Sequence, residues 1–284
     1  MLEICFKEIK ITEEHFSFIK IFLKEKCGIT IDSEKLYLVE SRLIPVLESE
    51  NFQDFDMLIE KIKHDRHGHL HQKIIDAMTT NETSFFRDTH PFETLKNTIL
   101  PHLTKTMQTH NKINMWSAAC SKGQEPYSIA MLIKEHFGNL QPYQYSIYAS
   151  DISNDILKSA QSGIYTKFEI NRGLSETYLN KYFAPHFTEN EWRISEQIKS
   201  SVTFMKINLI DDWPLLPTMD VIFLRHVLIY FEIETRRNIL RKIKKILKPD
   251  GYLFLGVGET PFGIDEEFES IYIGNSICYK LKLN

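Results

Sequence analysis

The stretch "WSAACSKGQEPYS", Trp116 to Ser128, puts small residues and Gly123 between an apolar run and a helical one, with the carboxylate of Glu125 just before Pro126. A strand, a small-residue turn and a helix in that order mark a position where an open α/β sheet receives ligands, beyond the carboxyl ends of its strands. The next apolar run, "YASDIS", ends on Asp151, and a carboxylate there suits the two hydroxyls of a ribose. The turn lacks the GxGxxG pattern, the spacing from Gly123 to Asp151 exceeds the roughly 20 residues of the dinucleotide fingerprint, and Glu125 repels a pyrophosphate at a helix start. The chemistry that fits is a nucleoside without phosphate that carries a cationic end. A plainer reading stands beside it, with Gly123 as a tight turn and Asp151 as an N-cap.

Further polar groups interrupt apolar surroundings. "TTNETSFFRD", residues 79 to 88, concentrates them around Arg87; "FMKINLID" carries Asn208 at a strand end; "FLRHVLIYF" embeds Arg225 and His226, with Tyr230 close behind. A charge within such a strand costs several kcal/mol unless it is paired or faces a site at the strand's end. Arg225 therefore reads either as one half of a structural ion pair or as a site residue, and Tyr230 as a site residue or a core aromatic.

The elements that must hold these groups follow two grammars. From Thr12 to about Met78 the periodicity is helical: Phe16, Ile19, Phe22 and Leu23 recur at helical spacing, Thr12 with Glu14 and His15 signals a cap, and Gly28 a stop. "SEKLYLVESRLIPVLESE", "DFDMLIEKIKHD" and "HLHQKIIDAM" repeat the pattern. After Pro91, strands ("INMWSAA", "YQYSIYASDIS", "SVTFMKINLI", "MDVIFLRHVLIYF", "GYLFLGVGE") alternate with helices ("EPYSIAMLIKEHFG", "NDILKSAQSG", "ETRRNILRKIKKILKPDG"), which predicts a parallel sheet with helices on both faces. Residues 165–201 break the alternation and read as a small insertion, and "FESIYIGNSICYKLKL" as terminal strands. The boundaries expected are a helical domain over 1–78, a linker over 79–90 that contributes to the active site, and an α/β domain over 91–284.

Composition narrows the class. Of 284 residues, 34 are Lys or Arg and 38 Asp or Glu, a net charge of −4 that argues against duplex nucleic acid as partner. Cys5, Cys27, Cys120 and Cys278 are scattered without zinc-like spacing, so neither a metal nor a disulfide framework is expected. His64, His67, His69 and His71 crowd a polar stretch around Gly68 that reads as a solvated helix end or loop. The N-terminal residues carry acids among their apolar positions, unlike a signal peptide, and no apolar run approaches the ~20 residues of a membrane span, so the expected location is the cytoplasm, without membrane insertion.

Taken together, "NETSFFRD", "WSAACSKGQEPYSIAM", "ASDIS…A…GIY", "RHVLIYF" and "LKPDGYLFLG" resemble the CheR family of chemotaxis receptor glutamate methyltransferases over nearly the whole chain. The resemblance implies an α/β fold: a Rossmann-like S-adenosylmethionine-dependent methyltransferase domain with a small inserted β-subdomain, preceded by an all-helical N-terminal domain. It implies an enzyme, a protein-glutamate O-methyltransferase that forms glutamate methyl esters on the cytoplasmic domains of membrane chemoreceptors, with S-adenosyl-L-methionine as cofactor and S-adenosyl-L-homocysteine as product. Cofactor contacts carried over from it are Asn81, Thr83, Arg87, Glu125, Asp151, Asn208, Leu209, Arg225 and His226, and the catalytic candidates are Arg87 and Tyr230. The family usually has Thr-Gly-Glu-Glu where Lys122, Gly123, Gln124 and Glu125 stand, and Asn at His226; "GVGET" replaces a His-Ser-Glu type of sequence and receives no role. Some members capture a C-terminal receptor peptide through a glycine-containing loop of the β-subdomain; "KYFAPHFTENEWRIS" has no glycine, which argues against such a tether. The competing readings are a methyltransferase for RNA or a small molecule, and a non-catalytic scaffold that binds the cofactor.

Overall fold

A computed structural model describes residues 9–66, 68–106, 112–140, 144–188 and 190–282. Cys5 and His67 lie outside them. Two compact units are present, one formed by residues 1–80 with 230–232 and the other by 81–229 with 233–284.

The first unit is helical: α1 (Glu13–Cys27), α2 (Leu36–Glu50), α3 (Phe55–His64) and α4 (His69–Met78). Thr12 does cap α1, but its capping-box partner is His15 rather than a carboxylate, and Gly28 closes the helix in the left-handed conformation at φ 76. Phe16, Ile19, Phe22 and Leu23 form the buried stripe, as their spacing requires. Within the histidine-rich stretch, His64 ends α3 and His69 begins α4, while His71 bonds the Ile62 carbonyl at 3.0 Å and Asp65 receives the amides of Gly68, Leu70 and His71. Tyr230 belongs to this unit, its carbonyl accepting from the Thr30 amide at 3.0 Å and hydroxyl at 3.1 Å.

The second unit opens with α5 (His90–Thr94), a π turn over Leu95–Ile99 and α6 (Leu100–Thr106). Its strands are β1 (Ile113–Ala118), β2 (Tyr145–Asp151), β3 (Ile164–Thr166), β4 (Phe183–His186), β5 (Glu191–Ile194), β6 (Val202–Lys206), β7 (Met219–Leu224), β8 (Leu247–Leu255), β9 (Phe268–Ile273) and β10 (Ser276–Leu281). The helices between them are α7 (Gln124–His136), α8 (Asn154–Ser162), α9 (Lys167–Asn171), α10 (Glu176–Tyr182), α11 (Glu196–Lys199) and α12 (Ile233–Ile246). The main sheet runs β6-β2-β1-β7-β8-β10-β9, parallel from β6 to β8 and antiparallel beyond. The chain leaves β1 to one side toward β2 and later returns on its other side as β7, so the crevice of this fold opens above β1. Val221, Ile222, Phe223 and Leu224 of β7 are buried without exposure, the continuous apolar run of a strand covered on both faces. At about 1.5–3 kcal/mol for each fully buried large apolar side chain, β7 anchors the sheet on which the site is built.

The insertion makes its own sheet, β3-β5-β4, all antiparallel. Tyr165 of β3 is buried against Phe85 and Tyr127, with ring centroids 5.0 and 6.4 Å away. Its hydroxyl donates to the Lys122 carbonyl at 2.8 Å, and the Lys122 ammonium pairs with Glu169 of α9 at 2.7 Å. Burial pushes the Glu169 carboxyl up, but bonds from Lys122 and Thr166 outweigh it and hold the group below its ordinary range.

Candidate functional site

The turn after β1 is unusual in its backbone. Ala119 and Ser121 take φ of 55 and 50 without being glycine, and Gly123 follows at φ 87. Non-glycine residues adopt this region only when their surroundings hold them there, and such residues concentrate at functional sites. The holding groups are identifiable. The Cys120 amide donates to the Ser150 carbonyl at 2.8 Å and the Ser121 amide to Asp151 Oδ2 at 2.9 Å, while Asp151 Oδ1 takes the Ser153 amide at 3.1 Å. Asp151 is thus a tie between two strand ends, not the cap of α8; that role belongs to Ser153, whose hydroxyl accepts the Ile156 amide. The space freed at Gly123 is taken by the protein itself, since a Cβ there meets Ala160 Cβ at 3.1 Å and the Tyr127 and Phe204 rings at 3.2 and 3.3 Å.

Glu125, in the first turn of α7, accepts the Ser117 hydroxyl at 2.7 Å and the Arg225 guanidinium at 2.8 Å. Strand β7 stops at Leu224, one residue before Arg225, shorter than the apolar run predicts, and the chain turns through His226 at φ 57. Arg225 also donates to the Arg87 carbonyl at 2.8 Å and to Asp88 at 2.7 Å, with only 2% of its side chain exposed. The ion-pair reading of Arg225 is therefore realised, and the pair sits at the sheet's carboxyl rim. His226 Nε2 contacts the same Asp88 oxygen at 2.8 Å. Burial pushes the Asp88 carboxyl up; the His226 and Arg225 contacts outweigh it and hold it below the usual carboxylate range.

The loop of residues 81–89 lies in the same unit. Phe86, Asp88 and Thr89 all have positive φ, at 49, 63 and 40. Phe85 is buried against Tyr165 and Phe183, and the Phe86 amide donates to the Ser128 hydroxyl of α7 at 2.9 Å. The Asn81 carbonyl accepts the Ser121 hydroxyl at 3.0 Å, Thr83 is half-buried, and Arg87 donates to the Glu82 carbonyl at 2.7 Å. On the far side of β2, Asn208 follows β6; its side chain bonds Asp211 at 2.9 Å, and buried Leu209 offers its carbonyl to Lys242 at 2.7 Å.

The fold thus makes two bonded groups at the strand ends, Asn81 with Ser121 and Asp151, and Arg225 with Glu125, Asp88, the Arg87 carbonyl and His226, with Asn208 and Leu209 on the loop after neighbouring β6. Tyr230 is counted with the helical unit. Sequence reasoning did not single out Ser117, Ser121 or Asp88 as participants, although Asp88 lies within a stretch it noted. It gave the "GVGET" loop no role, yet Glu259 is buried there and accepts the amides of His226 and Gly256 at 2.8 and 2.6 Å. Cys120 is buried, and burial, then the charges of Asp151 and Glu125, push its thiol well above the ordinary range.

The donor set fits S-adenosylmethionine. Glu125 stands in the first turn of α7 and Asp151 is bonded to the loop that leads into it, while the buried Arg225 guanidinium is shared by Glu125 and Asp88, a setting hostile to a pyrophosphate and suited to a cationic sulfonium and ammonium. Asp151, a carboxylate at the end of β2, is an acceptor of the kind a ribose diol requires.

The chain matches the family described as "CheR methyltransferase, SAM binding domain" over residues 81–276 and "CheR methyltransferase, all-alpha domain" over 14–79. It is 39% identical over 94% of its length to "Chemotaxis protein methyltransferase Cher2" of Pseudomonas putida, covering 98% of that protein. It is 40% identical over 94% of its length to "Chemotaxis protein methyltransferase 1" of Pseudomonas aeruginosa, covering 97% of it. For the "Chemotaxis protein methyltransferase" of Vibrio parahaemolyticus the identity is 37%, with 96% of this chain and 99% of the other covered.

Proposed function

Because this chain belongs to the CheR methyltransferase family, we propose that it transfers a methyl group from S-adenosylmethionine to glutamate side chains on the cytoplasmic domains of chemoreceptors, as a protein-glutamate O-methyltransferase. The observation that carries the reading is the match along both domains to chemotaxis methyltransferases of nearly equal length. No helix of the described residues is long and apolar enough to cross a membrane, in keeping with action on receptors from the cytoplasm.

When bound, the cofactor supplies an electrophilic methyl. The chain's residues hold and orient. Asp151 receives the ribose hydroxyls, and Glu125 and Asp88 give the region the negative potential that a cation requires. Arg87, with five N–H donors and one of its nitrogens on the Glu82 carbonyl, directs the rest of its fork at the receptor carboxylate. That carboxylate is ionised at neutral pH, with an ordinary pKa near 4.3, so no general base is required. The protein's contribution is alignment, which lowers such barriers by up to about 7–11 kcal/mol.

The test is transfer of labelled methyl to chemoreceptor-containing membranes, with base-labile product counted. Ester formation is expected; cofactor binding without ester establishes the scaffold reading instead, and label in RNA or a small molecule establishes another substrate. In calorimetry Asp151→Asn abolishes the heat of S-adenosylhomocysteine binding, whereas Arg87→Ala lowers kcat in the transfer assay more than it weakens cofactor binding. Undiminished heat for the Asp151 variant refutes the ribose assignment.

A further inference from the structure

The turn that carries Arg225 and His226 leaves β7 in the left-handed region, and no glycine accounts for it. What holds it comes from the next strand along. After β8 the chain runs Gly256, Val257, Gly258, Glu259, and the Glu259 amide donates back to the Gly256 carbonyl at 3.0 Å, closing a tight turn. The Glu259 side chain then reaches across to β7's turn. Its Oε2 accepts the His226 amide at 2.8 Å and the Gly256 amide at 2.6 Å; its Oε1 accepts the Ile229 amide at 3.2 Å. The residue is 8% exposed. Gly256 is required by the same geometry, because a Cβ there meets the His226 amide nitrogen at 2.6 Å and Glu259 Oε2 at 2.7 Å.

We infer that Glu259 is a positioning residue for the cofactor: one buried carboxylate clamps the turns after β7 and β8 and so fixes where Arg225 and His226 stand. Among the described residues its side-chain bonds all go to backbone amides, and it acts through the backbone of His226. Bonds from several backbone amides to a single carboxylate are the strong kind, and each is costly to leave unmade once buried. From the other side Asp88 binds the two side chains of the same dipeptide, at 2.7 Å from Arg225 and 2.8 Å from His226. The dipeptide is therefore held at its main chain by Glu259 and at its side chains by Asp88. The inference rests on the reading that S-adenosylmethionine occupies this rim.

The experiment compares Glu259→Ala, Glu259→Gln and the wild-type full chain in two measurements. Amide hydrogen exchange without ligand reads the clamp itself: Glu259→Ala speeds exchange at His226 and Gly256 at least tenfold. Glu259→Gln keeps one carbonyl oxygen for those two donors and loses protection at Ile229 alone. Calorimetric titration with S-adenosylhomocysteine, expressed per folded molecule, reads the consequence: Kd rises at least tenfold in Glu259→Ala and less than fivefold in Glu259→Gln. A purely structural role lowers Tm but leaves that Kd unchanged, and a Kd for Glu259→Ala within twofold of wild type overturns the inference, as does unaltered exchange at His226. If Glu259→Ala does not fold, Glu259→Gln with Gly256→Ala carries the test, the latter expected to open His226 exchange and weaken binding together. Wild-type protein without any heat of binding refutes the cofactor reading instead, and the exchange measurement still decides the clamp.

Discussion

Replacing Arg225 with methionine tests whether the ion cluster at the sheet's rim is as consequential as its burial implies. The guanidinium makes its bonds to Glu125 at 2.8 Å, Asp88 at 2.7 Å and the Arg87 carbonyl at 2.8 Å, with 2% of the side chain exposed. Methionine fills most of the same volume and leaves no charge, so the loss is that of the partners. Asp88, 31% exposed, keeps His226 and access to water; Glu125, 13% exposed, keeps the Ser117 hydroxyl alone among the described residues. Breaking a buried pair in this way costs about 3–5 kcal/mol, because an uncompensated charge stays behind. In a unit of roughly 200 residues, where 1 kcal/mol shifts Tm by about 2–4 °C, that is a fall of about 6–20 °C in differential scanning calorimetry. The second half of the test is Arg225→Met combined with Glu125→Gln. Removing the stranded charge recovers a large part of the loss, so the double variant is more stable than Arg225→Met alone. An Arg225→Met protein that melts within about 3 °C of wild type, or a double variant no better than the single one, refutes the claim that Glu125 depends on this partner.

Two further outcomes follow from the same rim. Gly173 has φ +87 and an added Cβ meets the Phe85 carbonyl oxygen at 2.0 Å, whereas Gly258, at φ +81, has nothing within 4 Å; Gly173→Ala therefore destabilises by at least about 2 kcal/mol more than Gly258→Ala in urea unfolding, and equal losses refute the steric account. Asp88 titrates below its ordinary 3.8 when folded, so its contribution is present above that pH and is lost as pH falls through the folded value; the stability gap between wild type and Asp88→Asn should shrink between about pH 5 and pH 3, and a gap unchanged over that interval removes Asp88 from the account.

The sheet was legible because its signals are local. Alternation of apolar runs with amphipathic stretches follows directly from side-chain period, and Asp151 and Glu125 stand out as carboxylates at a strand end and a helix start. The end of β7 differs from the expectation for an equally physical cause: "FLRHVLIYF" is apolar enough to continue as strand, and carboxylates from elsewhere in the chain, Asp88 and Glu259 among them, hold Arg225 and His226 in the turn instead. Those carboxylates are distant in sequence. Asp88 lies 137 positions from Arg225 and Glu259 33 positions from His226, and nothing in "RDTH" or "GVGET" announces a partner so far away. Pro45 illustrates the converse, a local signal overridden: it stands inside α2, whose Val39, Leu43, Val46 and Leu47 are buried, and the packing of that stripe carries the helix through.

The inserted three-stranded sheet is built into the wall of the main unit. Phe85 and Tyr127, neither of them exposed, lie against Tyr165 of the insertion, whose hydroxyl and whose neighbour Glu169 both grip Lys122. Cutting the insertion out and rejoining the chain would uncover Phe85, take one ring contact from Tyr127 and remove both of the insertion's bonds to Lys122. The segment is thus inseparable from the domain that contains it: it cannot be trimmed, swapped or transplanted as a detachable accessory unless Phe85, Lys122 and Tyr127 are redesigned along with it.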